Sequence, residues 1–126
     1  MDVDTERAIR AVTKDDEMTC DSAFKMAHDM GITPGQMGRT LDLLDIRLVE
    51  CRLGLFGFRP DKKIVKPATH VSPELEKAMR GSLTHNRLSC ADACELAERF
   101  GKRNTDISSA CEALGIKISS CQLGAF

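Results

Sequence analysis

The phrase Cys51-Arg52-Leu53-Gly54-Leu55-Phe56 returns 70 residues later as Cys121-Gln122-Leu123-Gly124-Ala125-Phe126. Sliding the chain on itself by that offset, without a gap, aligns Cys20 with Cys90, Ala23 with Ala93, Ala27 with Ala97, Gly31 with Gly101, Leu44 with Leu114 and Ile46 with Ile116. The match reaches back to Glu6-Arg7-Ala8-Ile9-Arg10, which lies on Glu76-Lys77-Ala78-Met79-Arg80. The chain is a tandem duplication, so whatever the first copy folds into, the second is expected to repeat. The division is 1–57 for the first unit, 58–70 for a linker and 71–126 for the second unit. Units this short are near the lower limit of independent folding, so they are expected to pack on each other or on a partner.

Within each copy the apolar spacing predicts three helices and a strand. Val3, Ala8, Ile9 and Val12 recur at helical spacing behind the acidic Asp2 and Asp4, which favours a helix start. Lys14-Asp15-Asp16-Glu17 reads as a polar turn. Cys20, Ala23, Met26, Ala27 and Met30 then form one apolar stripe, with Thr19 as N-cap and Gly31 as C-cap. In the second copy Ser89-Cys90-Ala91-Asp92 carries the Ser-x-x-acid capping signal, followed by Ala93, Leu96, Ala97 and Phe100 and stopped by Gly101.

The turn Ile32-Thr33-Pro34-Gly35 feeds a third helix with Met37, Leu41 and Leu44 inward, matched by Ile107, Cys111 and Leu114; Asp45 or Gly115 ends it. Ile46-Arg47-Leu48 and Ile116-Lys117-Ile118 alternate as strands do. Gly54 and Gly124 are expected at turns needing φ > 0, folding Phe56 and Phe126 back over the helices. The strands of the two units are expected to pair. Residues 58–70, with Pro60, Pro67, Lys62, Lys63 and Lys66, read as an extended linker.

The order helix, helix, four-residue turn, helix, strand, together with the segment Leu88–Gly101, resembles the winged helix-turn-helix superfamily. The resemblance implies a mainly α protein with short β: two tandem winged-helix-like, helix-turn-helix repeats related by a pseudo-twofold. It also implies that the third helix of each unit reads bases in the major groove. By position, the reading residues would be Gln36, Arg39 and Thr40 in the first unit and Asp106, Ser108 and Ser109 in the second, with Lys62, Lys63 and Lys66 on phosphates. Two tandem units imitate a dimer and would present two reading helices about one DNA turn apart. Asp106, and an acid on each third helix, Asp42 and Glu112, argue against phosphate proximity. So does a net charge of −1, since non-specific nucleic-acid binding leaves a basic excess.

Six cysteines in a chain that opens with the acidic Met1-Asp2-Val3-Asp4 do not read as a disulfide framework, and none shows Cys-x-x-Cys spacing. Cys94 lies opposite Phe24 and Cys111 opposite Leu41, so both are expected in the core. Cys20, Cys51, Cys90 and Cys121 are retained in both copies. Cys20 and Cys90 start a helix, and Cys51 and Cys121 end the nearby strand. These are candidates for one redox pair per unit or for a four-thiolate metal site between units; their competing reading is small core residues. His28, His70 and His85 show no ligand spacing and are expected at the surface.

No Ser-His-Asp order, glycine-rich phosphate loop or paired carboxylates stands out, so neither an enzyme nor a cofactor is expected. With no Trp or Tyr and 5 Phe, an aromatic platform for single-stranded bases is not expected either. No apolar run approaches a membrane span, and a cytoplasmic location is expected. The leading expectation is a small DNA-binding transcriptional regulator acting on double-stranded DNA, with a homodimer as one form. The alternative is a protein–protein interaction or assembly module with redox-active or metal-binding cysteines.

Overall fold

Asp15 and Asp16, between the first two helices, both take positive φ, 52° and 58°, and their counterparts His85 and Asn86 take 52° and 63°. These are side chains that tolerate the left-handed region, and two such residues in succession make a tight reversing turn. The turn is closed by paired backbone bonds between Lys14 and Glu17, and between Thr84 and Arg87. It delivers the chain directly into a short strand in each copy.

The computed structural model describes residues 3–59 and 63–125. The first unit runs α1 (Val3–Ala11), β1 (Glu17–Thr19), α2 (Cys20–Met30), α3 (Pro34–Leu43) and β2 (Arg47–Val49). The second repeats this order as α4 (Pro73–Gly81), β3 (Arg87–Ser89), α5 (Cys90–Arg99), α6 (Asn104–Leu114) and β4 (Lys117–Ser119). The duplication read from the sequence is therefore a duplication of structure, element for element.

The helix ends follow local chemistry. Thr19 Oγ1 accepts from the Ser22 amide at 3.2 Å, and Ser89 Oγ from the Asp92 amide at 3.1 Å. At α3 the caps are reciprocal. Thr33 Oγ1 accepts from the Gln36 amide at 3.1 Å while Gln36 Oε1 accepts from the Thr33 amide at 2.8 Å, satisfying two donors that a helix start leaves orphaned. The left-handed stop of α2 is Gly31, and that of α6 is Gly115.

The sheets differ from the sequence expectation. β1 and β3, read as turn and helix entry, are strands. β1 pairs with β2 in parallel, Met18 opposite Leu48, and β3 with β4, Leu88 opposite Ile118. Each two-stranded sheet closes within its own unit, so among the described residues the expected pairing across units is not formed. An antiparallel wing hairpin is also lacking among the described residues. The stripe on α1 is narrower than expected: Ile9 is fully buried, whereas Val3 and Val12 are exposed.

Two cores result. One gathers Ile9, Met18, Cys20, Ala23, Ala27, Met37, Leu41, Leu44 and Ile46 from the first unit, together with Leu123 from the second. The other gathers Leu75, Met79, Leu88, Cys90, Ala93, Leu96, Ile107, Cys111 and Ile116 from the second unit, together with Cys51 and Leu53 from the first. The repeated phrases thus cross over, each unit completing the other's core. No helix is long and apolar enough to cross a membrane, among the described residues.

Candidate functional site at the junction of the repeats

The crossing is set by one turn used twice. The Gly54 amide donates to the Cys51 carbonyl at 2.8 Å, and the Gly124 amide to the Cys121 carbonyl at 3.0 Å. Both glycines have positive φ, 76° and 80°, which glycine adopts without a Cβ penalty. The turn was legible in the sequence, but its destination was not: Leu53, Leu55 and Phe56 lie on the core of the second unit. Phe126 falls outside the described residues. Burying a leucine contributes about 1.5–3 kcal/mol, and Leu53 and Leu123 are 0% and 3% exposed, so each tail is a substantial part of its host's core.

The same crossing brings thiols together. Cys20 and Cys90 begin α2 and α5. Cys20 takes a hydrogen bond from the backbone of Arg52, and Cys90 takes the equivalent bond from the backbone of Gln122. The Gln122 amide Nε2 also reaches Cys90 Sγ at 4.0 Å. Cys121 is hydrogen-bonded to Cys90, and Cys90 in turn to Cys94. Cys51 and Cys121 both lie close enough to Cys20 to act on its charge. Five of the six cysteines therefore occupy one neighbourhood, and all six are free thiols.

Arg52 is the cation of this neighbourhood. Its guanidinium lies over the Phe24 ring at 3.8 Å from the centroid and pairs with Asp21 at 3.1 Å, while also touching Cys94 on the opposite unit. The thiols respond differently. Burial pushes Cys20 up to about 12, against the Arg52 backbone bond that favours its anion. The hydrogen bond to Cys90, then burial, raises Cys121. Cys90 gains from its bond to Cys121, but the bond to Cys94 and burial outweigh that gain and leave it raised. Cys94 goes the other way, lowered to about 7, first by the hydrogen bond from Cys90 and then, against burial, by Arg52.

The three thiols Cys121, Cys90 and Cys94 thus form a donor chain that ends on Cys94 as the acceptor. Cys94, expected in the core, is partly buried and packs against the core of the second unit, and it also reaches Arg52 at the junction. Cys111 does behave as core, 2% exposed and raised by burial to about 12. Among the described residues no group of three or more His, Cys, Asp or Glu side chains is arranged to hold a metal ion.

The residues expected to read DNA are scattered in role. Arg39 is exposed on α3, and Thr40 is partly exposed with its hydroxyl donating to the Gln36 carbonyl at 2.9 Å. The Gln36 side chain is engaged in the helix cap. Ser108 is 1% exposed and faces inward, with its hydroxyl directed to the Asn104 carbonyl at 3.5 Å, so it is not on an outer reading face. The Ser109 carbonyl accepts from the Ala68 amide of the linker at 3.0 Å, and Lys63 pairs with Glu112. Lys63 and Ala68 of the linker therefore lie against α6. Lys66 is exposed, and Lys62 falls outside the described residues. Asp106 caps α6 by accepting from the Arg103 amide at 3.0 Å, and the Arg103 side chain holds its carboxyl below the usual range. His28, His70 and His85 are all exposed.

No family model, curated protein or solved structure matches this chain. The functional reading therefore rests on the fold and on the junction itself.

Proposed function

We propose that this protein is a non-catalytic, redox-responsive interaction module, in which the thiols at the junction set how firmly the two repeats hold each other and so the surface offered to a protein partner. The observation that carries the reading is the crossing of the tails. It sets Cys121 and Cys94 of the second repeat near Cys20 of the first, where a covalent bond would tie one repeat to the other. Thiols meeting from both repeats are the sites where an oxidant changes packing between the units rather than within one core. The test is oxidation of the whole protein by a mild peroxide, followed by thiol counting and thermal melting. Loss of thiols with a shifted melting point that a reductant reverses supports the reading; an unchanged thiol count rejects it.

A second reading, double-stranded DNA binding through α3, is supported by Arg39, exposed beside Thr40 and Leu43 on the outer face of that helix. It is weakened at α6, which carries the linker and Asp106. Binding to random duplex DNA across a salt series, with Arg39→Ala alongside, separates the two: phosphate contacts make affinity fall steeply with salt.

A further inference from the structure

The two tails turn in the same way, but only one of the turns is covered. At Gly54 the linker closes over it. The Ile64 amide donates to the Gly54 carbonyl at 3.0 Å, and a β-carbon on Gly54 would stand 2.7 Å from Val65 Cγ2 and 3.0 Å from Ile64 Cγ1. The same segment is fixed to α6 by Lys63 on Glu112 and by the Ala68 amide on the Ser109 carbonyl at 3.0 Å. Lys63-Ile64-Val65 is thus a cation followed by two aliphatic residues, and Gly54 is buried beneath it.

The first unit repeats this seat without its cover. Gly124 is the counterpart of Gly54, Asp42 of Glu112 and Arg39 of Ser109. Gly124 is exposed, and among the described residues nothing lies within 4 Å of where its β-carbon would stand. Asp42 is exposed and takes part in no ion pair among the described residues. An open cleft of about 310 Å³ is lined by Leu41, Asp42, Leu48, Phe56, Leu123 and Gly124, a volume at the lower end of ligand sites. The carboxylate, the turn carbonyl and the helix carbonyl that hold the linker on the second unit all have counterparts in the first.

We propose that this cleft binds an extended segment of a protein partner in which a basic residue is followed by two aliphatic ones. The cation pairs with Asp42, the next amide donates to the Gly124 carbonyl, and the aliphatic side chains cover the tail as Ile64 and Val65 cover Gly54. A segment with an acid in the first place meets Asp42 with like charge and is disfavoured. The linker of this chain is already engaged on α6, so the segment comes from another molecule. The proposal rests on the interaction-module reading above, whose partner it describes, and does not involve the thiols.

The probe is a fluorescent synthetic peptide copying residues 63–70, titrated into the full chain under reducing conditions, with backbone amide shifts followed in parallel. Expected is saturable binding with shifts at Asp42, Leu48 and Gly124. Asp42→Asn should weaken binding about two- to fivefold, the range for one exposed ion pair. A peptide carrying Lys63→Glu should bind more weakly still, and one carrying Ile64→Ser with Val65→Ser should not bind. The peptide variants leave the protein unaltered, so the test stands even where Asp42→Asn fails to fold. A Kd weaker than about 1 mM, equal binding of the Lys63→Glu peptide, or shifts confined to Gly54 and α6 overturns the proposal. A dimer of the chain that the peptide dissolves makes the occupant a second copy and overturns the assignment to another protein. Because reductant is present throughout, failure here leaves the thiol reading standing, and an unchanged thiol count under peroxide leaves this cleft standing.

Discussion

The carbonyl oxygen of Leu123 lies 1.8 Å from where a β-carbon on Gly38 would stand. Gly38 is mid-way along α3, where alanine would ordinarily stabilise a helix by about 1 kcal/mol. Here it cannot be added without displacing the tail of the other repeat. Gly38→Ala is therefore expected to destabilise by about 1–3 kcal/mol, the range for overpacking, read as a lower urea midpoint with unchanged slope. Gly81→Ala is the control, because nothing lies within 4 Å of its position and it closes α4; it should leave stability equal or raise it.

The Thr33 and Gln36 caps give a local test. Thr33→Ala removes the acceptor for the Gln36 amide and should cost about 1 kcal/mol, with the loss of amide protection confined to the first turns of α3. The same interaction bears on DNA binding. Gln36→Ala should lower stability by a similar fraction, so a drop in any DNA affinity in that variant has to be judged against a melting curve.

Stability should depend on pH in two windows. Cys20 and Cys111 are raised to about 12 in the folded chain, so the fold holds their protons more tightly than the unfolded chain does. Their contribution is fully present below the unfolded thiol range and is lost as pH rises through the folded values. Cys94, lowered to about 7, contributes stability that is present above the unfolded value and is lost as pH falls through 7. Under reducing conditions the melting temperature should rise modestly between pH 7 and 8.5, then fall above pH 9. Cys94→Ser should flatten the first window and leave the second.

Much of the fold was legible because it is local. The duplication, the caps at Thr19 and Ser89, the glycine stops and the stripes on α2, α3 and α5 all depend on residues within a few positions of one another. The strands β1 and β3 were missed because three residues of strand carry too little periodicity to separate from a turn, although the asparagine, aspartate and histidine at positive φ were a usable signal. The crossing of the tails was not legible, since Leu53 is equally hydrophobic against either core and only tertiary contact decides. Its trace in the sequence is Gly38, whose counterpart is Ser108: one unit takes the tail against bare backbone and the other accommodates a buried side chain.

The candidate site was half legible. Retention of Cys20, Cys51, Cys90 and Cys121 in both copies marked the four thiols that meet at the junction; Cys94, assigned to the core because phenylalanine occupies its counterpart, does pack on that core, but its contact with Arg52 was not foreseen. The missed signal was a paired change. Where the first copy has Phe24 and Arg52, the second has Cys94 and Gln122, so the cation of one unit is left to face the thiol of the other.

The exchange of tails is the claim on which the junction depends, and hydrogen exchange of Leu123→Ala, mapped by peptide, tests it most directly. Leu123 ends the second repeat yet fills the core of the first, and its truncation should cost about 2–5 kcal/mol. The account predicts that protection falls first in α2 and α3, with α5 and α6 holding longer, and that Leu53→Ala gives the mirror pattern. Loss of protection in α5 and α6 before α2 and α3 in Leu123→Ala would mean that each tail folds onto its own unit, and would contradict the account.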